Sequence, residues 1–262
     1  MDKRITETEN WDEGLPLGNG FTGSIVYGGE PLKITVDRTD LWDLRPNETT
    51  LEKGFNYKNL VKLSKSGKEV DWKERERLFE DIFMGKPYPS KITAGRLELF
   101  FKDAENVRYF LDYDKAKAEV YSGNEPIAEI FISKLGGVGV IKTKRDFTFG
   151  LHVPAYLSGM PAGKSAIADN AENMSLGYPE AKFYEDGDFK WYEQKTHTDY
   201  AFGIVALRTG NELFYTLSTT GDAEDYISFA KEKLKKAAEI GFDKLFAAHE
   251  KEWAKYRAES FV

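Results

Sequence analysis

Short segments in which apolar and polar residues alternate run through the first two thirds of the sequence. In the clearest one, polar neighbours separate Leu32, Ile34 and Val36, which is the period of two expected of a strand with one buried face. Further strands are predicted at 97–101, 128–133, 138–143, 147–153, 191–196, 200–207 and 213–218. Because these strands follow one another without regular helical crossovers, the sequence predicts a mainly β fold, namely a large antiparallel β-sandwich.

A small helical insertion is predicted at about 57–84. Its first helix begins at Tyr57 and stops at Gly67. A second helix restarts near Asp71, because Asp71 and Glu74 have the spacing of a capping box. The apolar stripe of this insertion consists of Leu78, Phe79, Ile82 and Phe83.

The last part of the sequence departs from the strand pattern. Residues 158–180 are rich in Gly, Ala, Ser and Asn without a clear period, so we predict a long loop there. A pair of amphipathic helices follows at 222–262, with Asp222 as the predicted first N-cap, Gly241 as the break and Asp243 as the second cap. Their apolar faces carry Tyr226, Ala230, Leu234, Ala237 and Ala238, then Leu245, Phe246, His249, Trp253 and Tyr256. We expect both faces to be exposed in this chain and able to join two copies as a homodimer.

The composition excludes several kinds of site. The 262 residues carry 37 Lys and Arg against 44 Asp and Glu, and this net charge of −7 argues against a nucleic-acid-binding protein. The sequence has no cysteine, so disulfides and thiolate metal sites are impossible. It has no signal-like amino terminus and no stretch near the ~20 apolar residues of a membrane helix. These features favour a soluble, cytoplasmic chain that does not contact membranes, and they leave export of a longer parent protein open.

The opening of the sequence has a specific order of motifs. Trp11 is followed by the turn sequence Leu15-Pro16-Leu17-Gly18-Asn19-Gly20, which leads into a glycine-ended strand at 21–29. This order resembles the opening of glycoside hydrolase family 95 and of the related family 65 group. Similar segments continue along the chain at 94–99, 109–116, 128–133 and 213–222.

The second turn of the sequence matches the family only in part. The family pattern there is asparagine-glutamate-aspartate-threonine-leucine-tryptophan-serine-glycine. Leu41 and Trp42 agree with it, whereas Asp37, Arg38 and Asp43 depart from it. The resemblance therefore covers nearly the whole chain but leaves the chemistry of this turn open.

The resemblance implies a super-sandwich of many strands, a helical linker and then an (α/α)6 barrel that carries the catalytic carboxylates. We accordingly expect a β-sandwich domain at 1–221 and a linker at 222–262 that leads towards the barrel. The barrel should begin at about the end of this sequence, so we expect no catalytic residue within it. The implied parent activity is inverting cleavage of an α-linked sugar such as L-fucose or galactose, by two carboxyls ~6.5–9.5 Å apart. The expected partners are a carbohydrate and this barrel.

The strongest candidate for a substrate-binding site is the turn that ends at Arg45. Trp42 could stack on a sugar face, and Asp40, Asp43 and Arg45 could hydrogen-bond its hydroxyls. The alternative is that Trp42 is a buried anchor between sandwich and barrel, and that Asp37 or Asp40 satisfies turn amides.

Other candidate sites are weaker. Gly18-Asn19-Gly20 lacks the context of a phosphate loop and predicts a tight turn. His152, His197 and His249 lack metal-ligand spacing. The carboxylates around 103–114 lack the spacing of a calcium loop. We therefore expect no metal and no cofactor.

Two hypotheses from other classes stand beside the hydrolase-domain hypothesis. One is a free-standing carbohydrate-binding module, and the other is a structural or interaction domain that does not bind sugar. The terminal helical pair favours the hydrolase domain, because a free-standing module has little use for an amphipathic appendage.

Overall fold

The computed structural model describes residues 4–6, 11–81, 89–134, 136–154 and 176–259. The strands in these ranges are β1 (Arg4–Thr6), β2 (Leu15–Gly18), β3 (Thr22–Gly28), β4 (Leu32–Arg38), β5 (Trp42–Asp43), β6 (Ser90–Lys91), β7 (Gly95–Phe101), β8 (Val107–Asp112), β9 (Lys117–Ser122), β10 (Glu125–Ile132), β11 (Gly139–Thr143), β12 (Phe147–His152), β13 (Lys182–Asp186), β14 (Phe189–Lys195), β15 (Ala201–Thr209) and β16 (Glu212–Thr219). The helices are α1 (Tyr57–Lys65), α2 (Glu69–Phe79), α3 (Tyr226–Ile240) and α4 (Phe242–Ala258), with 3-10 turns at Trp11–Glu13 and Glu48–Leu51.

Two large antiparallel sheets confirm the predicted mainly β sandwich. Within the described ranges, nine strands form one sheet in the order β1-β8-β9-β10-β11-β16-β15-β14-β13, and five form the other in the order β12-β7-β4-β3-β2. A small third sheet pairs β5 with β6. The main core lies between the two large sheets, where Ile34 and Leu97 meet Ile130 and Ile204. These side chains are fully buried, as the alternation in the sequence predicts.

The middle strands of the nine-stranded sheet, β10, β11, β16 and β15, are buried on both faces, whereas the edge strand β13 is exposed. Phe131 and Val205 point away from the main core into a second cluster, where they pack against Ala230 and Leu234 of α3 and Phe242 of α4. The expectation that the apolar faces of the terminal helices are exposed is therefore wrong for α3 and for Leu245, Phe246 and His249 of α4, which are partly or fully buried, whereas Tyr256 is 53% exposed. The sheet of the same chain covers them, because its strands carry apolar residues on both faces. Homodimerisation through these helices stays a prediction, and the apolar surface that could drive it is smaller than expected.

The helix ends differ in detail from the predictions. The insertion consists of α1 and α2 as expected, but Lys68 rather than Asp71 precedes α2. The predicted stripe residues at 82–83 lie outside the described ranges. In α3 the N-cap is Asp225, whose carboxylate accepts from Ser228 N, so the Asp222 cap is wrong. Gly241, at φ +79°, ends α3 as predicted. It also directly precedes α4, so Asp243 lies inside the first turn.

The turn between β2 and β3 has the predicted tight geometry. Gly20 has φ +93°, a conformation that glycine adopts without strain. The side chain of Asn19 closes the turn, because its Oδ1 accepts from the amides of Phe21 and Thr22 at 3.0 and 2.8 Å.

The predicted long loop lies mostly outside the described residues. Its described end is packed on the sandwich, since Leu176 and Tyr178 are buried. Over the part of the chain that the structure describes, no helix is both long and apolar enough to cross a membrane.

Candidate functional site

The turn after β4 presents Trp42 at the surface. Its side chain is 44% exposed, and its indole Nε1 donates to Thr39 O at 2.9 Å. The backbone at Trp42 pairs with Lys91 in the small third sheet. The ring of Trp42 is therefore exposed but held by its own turn.

Asp43 supports this turn from the inside. Its side chain is fully buried and accepts hydrogen bonds from Arg45 Nη2 at 2.7 Å and from the hydroxyl of Tyr178 at 2.7 Å. The backbone amide of Arg45 donates to it as well, at 2.9 Å. Burial by itself raises the pKa of Asp43, but the hydrogen bonds from Arg45 and Tyr178 outweigh burial and hold the pKa below its ordinary value.

Two neighbours complete the surroundings of Asp43. The ring of His197 stacks on Tyr178 with 6.4 Å between ring centroids, and its Nδ1 lies 3.6 Å from a carboxylate oxygen of Asp43. Arg45 also donates to Leu176 O at 2.6 Å. The side chains of Asp43 and Arg45 thus form their hydrogen bonds within the protein. Their contact with a sugar stays a prediction.

Arg38 is the centre of a second network, on the other side of the turn. It is only 5% exposed, and it donates to both carboxylate oxygens of Asp40, at 3.0 and 2.7 Å. Its Nη1 donates to Leu217 O at 3.2 Å and to Asp222. Burial by itself lowers the pKa of Arg38, but the two carboxylates outweigh it and raise the pKa above its ordinary value. The Arg38 guanidinium therefore joins β4 to the end of β16.

Lys91 closes the turn from β6. Its ammonium donates to Asp37 and to the carbonyl oxygens of Arg38 and Leu41. Asp37 also accepts from the amide of Arg38 at 2.7 Å, so it satisfies a turn amide, as the alternative hypothesis for this residue holds. Burial raises the pKa of Asp37, and Lys91 offsets part of that rise.

Beside Arg38 a cleft of about 370 Å³ opens at one end of the sandwich, and we call it the Arg38 cleft. The turn at Asn19, the turn at 136–137, the end of β16 and α3 surround it. The residues that line it are Asn19, Phe21, Thr22, Arg38, Lys134, Gly136, Gly137, Thr216, Leu217, Ser218, Asp222, Phe229 and Lys233. Asp40 lies next to this cleft through its ion pair with Arg38.

A second and wider cleft, of about 690 Å³, lies on the strand turns of the nine-stranded sheet, and we call it the Arg208 cleft. Its lining residues are Glu129, Lys142, Thr143, Lys144, Arg145, Asp146, Arg208, Gly210 and Asn211. Three of its cations form ion pairs, namely Lys142 with Asp243, Arg145 with Glu125 and Arg208 with Asp146.

Among the histidine and carboxylate candidates for a metal site, His249 lies inside the protein. His249 is buried, and its Nε2 lies 3.1 Å from the carbonyl oxygens of Lys115 and Ala116. Burial lowers the pKa of His249, although these carbonyl groups favour its charged form. Among the described residues, no three His, Asp or Glu side chains come together in a way that could hold a metal ion.

Sequence reasoning missed three residues of this region. Arg38 was noticed only as a departure from the family pattern, and that change of charge was the available signal. Asp222 was assigned to a helix cap, although its carboxylate accepts from Thr219 N and from Arg38. Tyr178 gave no signal, because it lies in a segment without periodicity.

Residues 6–198 match a family model described as glycosyl hydrolase family 65, N-terminal domain. The chain belongs to this family. The match confirms the predicted family 65 group, whereas the link to family 95 stays a prediction. Among curated proteins no sequence matches the chain. The family 65 domain as matched includes the whole turn from Asp37 to Arg45, whereas α3 and the Asp222 side of the Arg38 cleft lie beyond it.

Proposed function

We propose that this family 65 N-terminal domain is the non-catalytic sandwich of a glycoside hydrolase that acts on α-linked sugars, such as α-L-fucosides or α-galactosides. In this proposal it supports an (α/α)6 barrel that carries the catalytic carboxylates, and it shapes the barrel's sugar site. Family membership over residues 6–198 supports the hydrolase assignment. The sugar, the linkage and the barrel come from the resemblance of the sequence alone.

The observation that carries the proposal is the exposed Trp42 on a turn whose polar groups are already bonded. Asp43 holds the turn from the inside, and Lys91 holds it from β6. An aromatic ring that is fixed before binding loses little conformational entropy when a ligand stacks on it. The rigid turn is therefore suited to contact a sugar ring or the wall of an adjoining active site.

A second candidate is a free-standing carbohydrate-binding module. The packing of α3 and α4 favours it, because the second cluster buries Leu234 and Phe242 against the sheet of the same chain. These helices thus have a structural use without a barrel. Burial of their apolar residues therefore does not require a partner domain.

A sugar titration followed by the Trp42 indole resonance in NMR tests the proposal. We expect α-fucosyl or α-galactosyl oligosaccharides to shift this resonance, and Trp42→Ala to abolish binding. Trp72→Ala is the matched control, since Trp72 is 53% exposed and belongs to α2 instead of this turn. Equal loss in both variants, or no shift with any glycan at millimolar concentration, would contradict sugar binding at this turn.

An activity assay tests the non-catalytic assignment. We expect the chain alone to leave aryl α-fucosides and α-galactosides intact. Turnover by pure chain that is lost on substitution of one of its residues would contradict the assignment.

A further inference from the structure

The Arg38 cleft contains two ammonium groups that have no carboxylate partner among the described residues. Lys233 Nζ donates to the hydroxyl of Thr216 at 3.3 Å, and the nearby Asp222 attracts its charge without forming an ion pair with it. Lys134 Nζ lies 3.5 Å from Asn19 O and 4.7 and 4.8 Å from the ring centroids of Trp253 and Tyr256. A hydroxyl, a carbonyl and two rings stabilise an ammonium group without neutralising it. Both charges are therefore available to an incoming anion.

The carboxylate in the lining of the cleft is already committed. Asp222 accepts from Arg38, from Ser218 Oγ at 3.2 Å and from Thr219 N at 2.9 Å. Arg38 is paired with Asp222 in the lining and with Asp40 beside it, so the cleft and Asp40 together keep one net positive charge, from the two lysines, in a chain whose net charge is −7. Lys233 is partly buried, so electrostatic attraction to its charge is stronger than in bulk water, and the same burial lowers its pKa.

The cleft also offers apolar walls of the size of one sugar ring. Phe21 and Phe229 both line it, and each is 46% exposed. Pockets for small ligands combine apolar walls with a few polar groups and have volumes from about 300 Å³ upward. The volume of about 370 Å³ lies at the lower end of that range and suits a single ring rather than a chain of sugars.

We propose that the Arg38 cleft binds one acidic sugar residue, a hexuronate, with its carboxylate between Lys134 and Lys233 and its ring against Phe21 and Phe229. The anionic character of the ligand follows from the cleft itself. Its assignment to the sugars rests on the proposed function. This site is separate from Trp42, and it would let the domain select for an acidic sugar beside a neutral one.

The Arg208 cleft has more cations but does not meet the same condition. Lys142, Arg145 and Arg208 each have a carboxylate partner, so an anion there must displace an existing ion pair. Lys144 is exposed and its charge is screened by water. Lys144 is accordingly the matched control for Lys233.

Calorimetric titration of the whole chain with galacturonate, galactose and inorganic phosphate tests the proposal. We expect galacturonate to bind, and galactose to bind at least about tenfold more weakly, because hydrogen bonds to a charged partner contribute more than neutral ones. Lys233→Met should weaken galacturonate binding by about tenfold or more, whereas Lys144→Met should leave it unchanged. Lys134→Gln is a second variant at a surface turn, and it should weaken binding without affecting the fold.

Three results would overturn the proposal. Equal affinity for galactose and galacturonate would show that the cleft does not distinguish a charged sugar from a neutral one. Phosphate binding as tight as galacturonate binding would show an anion site that is not a sugar site. An absence of galacturonate binding would remove the site, while the neutral-sugar titration at Trp42 would still decide the proposed function separately.

Discussion

The two clefts differ in how their cations are neutralised. In the Arg208 cleft, Arg208 is paired with Asp146, whose side chain is 89% exposed. In the Arg38 cleft, Arg38 is 5% exposed and paired twice, while Lys233 in the same lining has no carboxylate partner within the described ranges. The wider cleft has more positive residues, yet its charge is largely cancelled by its own neighbours. The proposed acidic-sugar site therefore rests on partly buried charge without an ion pair, and not on the number of basic residues in a cleft.

The largest effect we expect is on stability, from the same substitution made in both clefts. Arg38→Met removes a buried guanidinium and leaves Asp222, whose side chain is 22% exposed, without its cation, which should lower the free energy of unfolding by about 3 kcal/mol. Arg208→Met removes a pair with an exposed carboxylate together with hydrogen bonds to the carbonyl oxygens of Gly210 and Phe147, and it should cost less, because no carboxylate is left partly buried without its cation. Urea unfolding of both variants at neutral pH measures the difference. Equal losses would show that burial does not separate the two networks.

The buried core could be predicted from the sequence, whereas the ion pairs of Arg38 could not. The alternation of Ile34 and its neighbours shows which face of a strand is buried, and the core followed from it. Arg38 and Asp222 are 184 positions apart, so their pairing depends on the packing of β4 against β16. In the sequence, the departures of Asp37, Arg38 and Asp43 from the family pattern are what indicate that this turn is unusual.

The error about the terminal helices also has a physical reason. An amphipathic face shows that a helix is covered but does not say by what. The cover could have been inferred from the strands, because the runs at 128–132 and 201–207 are nearly continuous in apolar residues, as in strands buried on both faces. Phe131 and Val205 are the residues that the alternating pattern left without a partner.

The carboxylates of the two clefts can be compared by measuring stability at neutral and at acid pH. Burial raises the pKa of Asp222, but the bonds from Arg38 and Thr219 outweigh it and lower the pKa below its ordinary value. Such a group contributes stability above its unfolded pKa of about 3.9, and this contribution is lost as the pH falls through the lowered pKa. Asp222→Asn should therefore lower stability at pH 7 by about 1.5 kcal/mol and by much less at pH 2.

Asp146→Asn is the control for that titration. The pKa of Asp146 is also lowered, chiefly by the hydrogen bond from Arg208, but water screens its exposed charge. We expect this variant to follow the parent chain at both pH values in urea unfolding. A pH-dependent loss as large as that of Asp222→Asn would contradict the account.

The pH dependence of galacturonate binding tests the role of Lys233 in the Arg38 cleft. Burial lowers the pKa of Lys233, with nearby Asp222 opposing the effect and Arg38 adding to it. A lysine with a lowered pKa loses its charge at a lower pH than an ordinary lysine does. Galacturonate affinity should therefore decline as the pH rises from 7 towards 10. Lys233→Arg should remove this decline, because a guanidinium stays charged. Constant affinity of the parent chain up to pH 10 would exclude Lys233 as the anion-binding group.

The smallest effect we expect lies at the outer edge of the Arg38 network. The side chain of Asp40 is 45% exposed, and Arg38 keeps Asp222 when Asp40 is replaced. Asp40→Asn should therefore lower the free energy of unfolding by less than about 1 kcal/mol, as is usual for exposed ion pairs. Urea unfolding measures it beside Arg38→Met, and a loss approaching that of Arg38→Met would show that the exposed partner dominates the network.

The most direct test of the acidic-sugar site is a crystal structure of the chain grown with galacturonate. We expect the sugar in the Arg38 cleft, with its carboxylate contacting Lys134 and Lys233. Galacturonate bound in the Arg208 cleft or on Trp42, with the Arg38 cleft empty, would contradict the claim that unpaired buried charge selects the site.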